Sequence, residues 1–210
     1  MTSQTEDAPP RVLDTYGLTY AFTALFLVPG LFAIDRWSIE AFSLGYLALI
    51  VAPFFLGPAT VFALDSKDRS RTVAIRSAVL APLVAFTGIT IVFVAMMIIV
   101  VPLSLFVIPQ NFETLTLLSV AVVVLLAAPM VLSLVTRARE GFNAGGLVQI
   151  AALLIVLGVV AWVIAMTFDP GDALGTFLRK DVVEHFIGAF TWYLPAVALA
   201  AGLWRRLGVV

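Results

Sequence analysis

The sequence predicts an all-α, polytopic membrane protein, a bundle of six transmembrane helices with both termini in the cytoplasm. Three observations lead to this prediction: an apolar composition, six long apolar runs between short polar loops, and basic residues concentrated on alternate loops. Hydrophobic residues make up 62% of the chain and charged residues 12%. In a soluble domain roughly 45–50% of residues are apolar and about 25% are charged. A domain of this length has too little interior to hide the excess from water, so a bilayer is the expected solvent.

Six apolar runs are long enough to cross the hydrocarbon core, which takes about 20 residues of helix. They are Gly17–Ile34, Ala41–Leu64, Ser77–Ile108, Leu115–Thr136, Leu147–Phe168 and Val182–Trp204. Apolar and polar residues do not alternate in these runs, which disfavours a membrane barrel of strands. A helix satisfies all its backbone hydrogen bonds within one segment. The runs therefore predict a six-helix transmembrane domain over residues 17–204.

The third run, Ser77–Ile108, is too long for a single upright helix. One tilted span whose end loosens near Pro102 explains the length. This is the preferred interpretation, and a helix broken near Pro102 is the alternative.

The distribution of basic residues predicts the orientation. Three Lys and Arg residues lie on one side of the six runs: Arg36, Arg179 and Lys180. The other nine lie on the side of the two termini: Arg11, Lys67, Arg69, Arg71, Arg76, Arg137, Arg139, Arg205 and Arg206. Because cytoplasmic loops are enriched in Lys and Arg, both termini are predicted to lie inside.

Both ends of the chain are polar. Residues 1–16 are predicted to form a disordered cytoplasmic tail, and residues 205–210 a short cytoplasmic C-terminus. The first residues lack the basic stretch and apolar core of a cleavable signal. We therefore expect the first helix to be retained and the protein to lie in the plasma membrane as a multi-pass chain.

Residues that carry chemistry are sparse. The chain has no cysteine, which excludes disulfides and cysteine-ligated metals. Glu184 and His185 are the best pair available for acid–base work, and a single histidine with scattered carboxylates lacks the spacing of metal ligands. No charged residue lies deep in a run, which argues against a proton pump of the carboxylate type. We expect no enzyme activity, no metal and no cofactor.

Prolines interrupt most of the runs. Pro53, Gly57 and Pro58 lie close together in the second run, which is therefore expected to unwind or kink sharply. Transporters use broken helices to line a cavity, whereas prolines in other membrane helices only shape packing.

Two further pairs complete a predicted pocket. Thr87 and Thr90 lie about one turn apart and either form a polar notch or bond to their own helix. Trp192 and Tyr193 lie near the middle of the last run, where their polar atoms need partners inside the bundle. The predicted pocket lining is Pro53, Gly57, Pro58, Thr87, Thr90, Trp192 and Tyr193.

Small residues predict which helices pack closely, because helices in lipid associate where their backbones can approach. The second run has a stripe of six: Ala41, Gly45, Ala48, Ala52, Ala59 and Ala63. Shorter stripes lie on the third and sixth runs. These three helices are therefore expected to form the centre of the bundle.

Two functions fit these features. The prolines and the aromatic pair favour a small transporter, a channel or a membrane-embedded transporter subunit. The scarcity of buried polar groups and the short loops favour a non-catalytic subunit or assembly factor of a membrane complex. The expected partners are the lipid bilayer and either other membrane subunits or further copies of this chain. The net charge of −1 gives no reason to expect nucleic acid.

Overall fold

The computed structural model describes residues 12–40, 43–65, 71–100, 112–141, 143–168 and 188–209. Its regular elements are all helical, which confirms the all-α prediction for these ranges. The six α-helices are α1 (Val12–Arg36), α2 (Leu44–Asp65), α3 (Arg71–Ala95), α4 (Phe112–Glu140), α5 (Ala144–Phe168) and α6 (Leu194–Arg206). Two π-helical segments adjoin these helices: Met96–Val100 follows α3, and Ala189–Tyr193 precedes α6.

Four stretches are long and apolar enough to cross a membrane: Val12–Arg36, Leu44–Leu64, Val79–Ile98 and Val120–Glu140. They coincide with the first four predicted runs. A shorter apolar stretch, Ala144–Gly158, begins α5. Residues 169–187, which hold the first part of the sixth run, lie outside the described residues, as does Pro102 in the third. These helices support a protein that is embedded in a membrane.

Helix α1 begins at Val12, earlier than the predicted start at Gly17. Thr15 and Tyr16, which the sequence assigned to a disordered tail, are helical and buried. The tail prediction failed there because the polar side chains of this segment find partners on other helices and not in water. At the other end, α6 continues to Arg206, past the predicted boundary at Trp204.

The centre of the bundle is α1, which packs against α2, α4, α5 and α6, while α3 packs against α2 and α6. The expectation that the second, third and sixth helices form the centre is therefore wrong in leaving out α1, whereas α6 is buried over most of its length as expected. Gly45, Ala48 and Ala63 of the α2 stripe are exposed. A small residue permits a close contact between helices but does not say which helix will use it.

Glycines mark the closest approaches between helices. On α3, a β-carbon added at Gly88 would lie 2.7 Å from the Cα of Val197 on α6. On α6, one added at Gly202 would lie 3.0 Å from the carbonyl oxygen of Val12 on α1. Such spacings leave no room for any side chain, so they fix α6 against both of its neighbours.

Candidate functional site

The predicted proline break in α2 does not unwind the helix, which is continuous from Leu44 to Asp65. Pro53 removes the N–H that would bond the Leu49 carbonyl, four residues earlier. That oxygen faces Gly30 of α1, where an added β-carbon would lie 2.8 Å from it. The Cα–H group of a glycine can cover such a carbonyl. Helix α1 thus compensates for the proline, and the local sequence could not reveal this.

The three predicted residues of α2 are all buried, and one of them contacts α1 closely. Pro53, Gly57 and Pro58 are buried, and Gly57 lies directly against Thr23. The Thr23 hydroxyl donates to the Thr19 carbonyl of its own helix, 2.7 Å away. Gly57 therefore lies in the contact between α1 and α2.

Thr87 and Thr90 bond to their own helix, which is the second of the two alternatives predicted for them. Their hydroxyls donate to the carbonyls of Leu83 and Phe86, at 2.8 and 2.9 Å, within α3. Val197 of α6 covers Gly88, which lies between them on the chain. Thr87 is half-buried and Thr90 is exposed on α3.

Trp192 and Tyr193 lie in the π-helical segment before α6, where Leu194 donates its backbone N–H to the Ala189 carbonyl five residues earlier. Pro195 follows and cannot supply the next backbone N–H, which favours such a local change of helix type. The Tyr193 ring meets the Phe54 ring edge-on, with centroids 6.1 Å apart. The structure therefore places Tyr193 beside Phe54, the residue that follows Pro53. Segments of π-helix are frequent at functional sites.

A polar cluster that the sequence analysis did not assemble lies where α1 and α5 begin and α4 ends. Its members are Asp14 on α1, Ser133 and Arg137 on α4, and Gln149 on α5. Ser133 donates its hydroxyl proton to Asp14 Oδ1 over 3.3 Å. The Gln149 side-chain N–H donates to the Ser133 oxygen, also over 3.3 Å. Three helices are thereby joined by two hydrogen bonds.

The direction of these bonds follows from the number of protons available. A serine hydroxyl has one proton, and the Asp14 carboxylate takes the proton of Ser133. Gln149 must therefore present its N–H group to Ser133, which leaves its Oε1 as the free end. This oxygen makes no hydrogen bond to any described residue. Ser133 and Gln149 are both 0% exposed, so the cluster ends in a buried, unused acceptor.

Two arginines hold the beginning of α1. Arg137 Nε lies 3.8 Å from Asp14 Oδ1, and these side chains are only 17% and 22% exposed. Arg205, at the end of α6, donates from Nη1 to the hydroxyl oxygen of Thr15 over 2.8 Å. Asp14 thus has a charge partner and a hydrogen-bond donor on α4, which explains why this segment folds as helix.

Gly17 makes room for the cluster. A β-carbon there would lie 2.7 Å from Ser133 Oγ and 3.0 Å from Gln149 Nε2. Real β-carbons do not tolerate the first distance. Only a residue without a side chain lets Ser133 and Gln149 lie across α1 at this point.

Two tyrosines, Tyr16 and Tyr20, lie on either side of Gly17 along α1. Their rings are 6.1 Å apart, and the Tyr16 hydroxyl donates to the Leu126 carbonyl of α4 over 2.9 Å. Tyr20 is 0% exposed, and its hydroxyl makes no hydrogen bond to a described residue.

The short turn between α4 and α5 aligns Ser133 with Gln149. Gly141 has φ of +100°, a left-handed conformation that suits glycine and ends α4. Asn143 then caps α5, accepting the Gly146 N–H at its Oδ1 over 3.0 Å. A tight turn with a defined cap fixes how α5 lies along α4.

The signal for this cluster in the sequence was the amide of Gln149, alone among hydroxyls in the apolar runs. Side-chain amides in membrane helices hydrogen-bond to other helices. Ser133 and Gln149 bond to other helices in this way, whereas Thr87 and Thr90 bond within their own.

Within the described ranges, no group of three or more His, Cys, Asp or Glu residues could hold a metal ion. The arrangement at Gln149 can instead hold a molecule that donates a hydrogen bond. No known protein family, curated protein or solved structure matches this chain.

Proposed function

We propose that this chain is an integral protein of a plasma membrane, with six spans and both termini in the cytoplasm, and that it transports a small solute. The four long apolar helices support the membrane location. Arg137, Arg139, Arg205 and Arg206 end α4 and α6 beside the beginning of α1. Basic residues gathered at one end of the bundle support a cytoplasmic position for that end.

The observation that carries the transport proposal is the line of polar side chains from Asp14 to Gln149. It begins at a carboxylate that is partly exposed and ends at an amide that is completely buried. Polar groups inside a membrane protein are costly and mark the paths of solutes. A buried acceptor without a partner costs about 1–3 kcal/mol, whereas an apolar side chain at position 149 would avoid that cost.

The same bundle end has a ready means of closure. The Arg137–Asp14 ion pair spans 3.8 Å, which is longer than a hydrogen bond. Its separation would expose Ser133 and, behind it, Gln149. In this proposal the ion pair covers the cytoplasmic entrance.

The second candidate is a non-catalytic subunit or assembly factor of a membrane complex. It is favoured by Gly45, Ala48 and Ala63, which are exposed along α2. Small residues on a lipid-facing surface let another helix approach closely. A partner subunit or a second copy of the chain would supply that helix.

Two measurements on one preparation test these proposals. Native mass spectrometry of the gently extracted protein reports whether stoichiometric protein partners accompany it. Liposomes that contain the purified chain alone are then compared with empty liposomes for the passage of water, uncharged solutes and ions. Transport predicts that the chain alone raises permeability to at least one of them.

A folded, monodisperse chain that leaves the liposomes as tight as empty ones contradicts the transport proposal. Stoichiometric partners, together with loss of stability when they are removed, would then establish the subunit function.

A further inference from the structure

The buried polar atoms that bond to no described residue include Gln149 Oε1 and the Tyr20 hydroxyl oxygen, which lie where α1 packs against α4 and α5. A third such atom in this interface, Arg137 Nε, already faces Asp14 in an ion pair. The Gln149 and Tyr20 side chains are completely buried, at 0% exposure. Buried polar atoms are almost always hydrogen-bonded to protein or to a bound molecule. Two unused groups in one interface therefore point to a ligand.

These two residues belong to the same part of the interface. The Gln149 amide lies over Gly17, 3.0 Å from the position of a β-carbon there. Residues three apart on a helix share a face, so Tyr20 follows Gly17 about one turn deeper along α1. Tyr20 packs in the same buried cluster as Met130 of α4 and Ala152 of α5.

The hydrogen-bonding capacity of the two groups restricts the ligand. Gln149 Oε1 can only accept, because its N–H group is directed to Ser133. A tyrosine hydroxyl can donate and accept. A molecule that satisfies both must therefore carry at least one N–H or O–H donor.

The charges of the cluster restrict it further. Asp14 and Arg137 oppose each other at the entrance, and the described side chains beyond them, Ser133, Gln149 and Tyr20, are uncharged. An ion at Gln149 would lose its hydration with no opposite charge beside it, which is strongly unfavourable. A neutral molecule avoids this cost.

We propose that this interface binds a small uncharged solute with N–H or O–H donors, accepted by Gln149 Oε1 and bonded to the Tyr20 hydroxyl. This inference rests on the proposed transport function and names its substrate class. Water, urea and glycerol are members of that class, and monovalent ions are not.

Stopped-flow light scattering on liposomes that contain the full chain tests the proposal. Water flux is measured under a sucrose gradient, and urea and glycerol fluxes under gradients of each solute. Potassium and chloride fluxes are measured in parallel. The wild type is compared with Gln149→Leu, which removes the acceptor, and with Tyr20→Phe, which removes one oxygen atom. Thr60→Val is the matched control, because the Thr60 hydroxyl bonds to the Leu56 carbonyl of its own helix.

The expected result is that the wild type and Thr60→Val conduct at least one uncharged solute equally well. Gln149→Leu and Tyr20→Phe lower that flux by roughly fivefold or more, the effect of one lost hydrogen bond. If Gln149→Leu does not fold, the fluxes of Tyr20→Phe and Gln149→Met test the site instead, since both substitutions nearly keep the size of the side chain.

Each other outcome overturns the inference in a recognisable way. Flux of an uncharged solute that both folded variants leave unchanged overturns this site but keeps the transport proposal. Flux of ions alone overturns the substrate class while transport itself stands. Liposomes that conduct nothing contradict the transport proposal and remove this inference with it.

Discussion

The side-chain N–H of Gln149 on α5 donates to the hydroxyl oxygen of Ser133 on α4, and that hydroxyl donates its own proton to Asp14 on α1. Ser133 is therefore the only described residue that links all three helices by side-chain hydrogen bonds. Its two partners depend on a single oxygen atom, which makes this position sensitive to substitution.

Replacing Ser133 by alanine is expected to lower the free energy of unfolding by about 1–3 kcal/mol, because it leaves the Gln149 N–H without its acceptor in the interior. The measurement is chemical or thermal unfolding in detergent micelles. Thr60→Val removes a hydroxyl that bonds within its own helix and is expected to change little. Equal effects of the two substitutions would contradict the role given to Ser133.

Replacing Gly17 by alanine is expected to destabilise the protein by about 1–3 kcal/mol, the usual effect of overpacking. The new β-carbon would lie 2.7 Å from Ser133 Oγ and 2.9 Å from Ser133 Cβ. Gly158→Ala is the control, since nothing lies within 4 Å of that position on α5. There alanine is expected to stabilise the helix by up to about 1 kcal/mol. A Gly17→Ala protein as stable as the wild type would show that α1 and α4 are not this close.

Gly88→Ala is expected to destabilise the protein more than Gly17→Ala does. The atom in the way at Gly88 is the Cα of Val197, 2.7 Å from the new β-carbon, and backbone cannot rotate aside. The two variants are compared by their unfolding midpoints under identical conditions. The opposite order would mean that α3 and α6 move apart more easily than α1 and α4 do.

The Asp14–Arg137 pair is tested by a double-mutant cycle with Asp14→Asn and Arg137→Gln. Both side chains are mostly buried, so we expect a coupling free energy of about 0.5–3 kcal/mol, larger than for exposed pairs. Asp14→Asn is expected to lower the free energy of unfolding more than Arg137→Gln does, since Asp14 also accepts a hydrogen bond from Ser133. A coupling indistinguishable from zero would remove the pair as a closure of the entrance. Arg139→Gln serves as the control on the exposed side of α4.

The proposed topology is tested by labelling single cysteines, for which the chain has no native background. Ser38, in the turn after α1, and Leu207, after α6, are both exposed. A membrane-impermeant maleimide is expected to label Ser38→Cys on intact cells. Leu207→Cys is expected to react only after the membrane is permeabilised. Labelling of Leu207→Cys on intact cells would contradict a cytoplasmic C-terminus.

Features that depend on neighbours along the chain agreed between sequence and structure. The hydroxyls of Thr87 and Thr90 bond to carbonyls one turn earlier, as one of the two sequence hypotheses stated. Four of the predicted runs are long apolar helices. Helix type and local hydrogen bonds arise from residues within a few positions, so the pattern of the sequence contains the necessary information.

The unwinding expected at the prolines of α2 is wrong for the opposite reason. Pro53 was expected to unwind α2 or to kink it sharply. The carbonyl that it frees faces Gly30 of α1, and the helix does not unwind. Whether a proline breaks a membrane helix depends on what covers the freed carbonyl. That group comes from another helix, so the second run alone could not decide it.

By itself, the sequence determined that this protein is helical and apolar enough for a membrane, because composition and run length set the solvent that each segment requires. Only the tertiary structure decided that α1 lies at the centre and that Asp14 meets Ser133, from which it is separated by 119 residues along the chain. Contacts at such a separation depend on how whole helices pack, and small residues on several helices offered more than one arrangement. The polar cluster forms because Gly17, which has no side chain, leaves room for Ser133 and Gln149 beside α1.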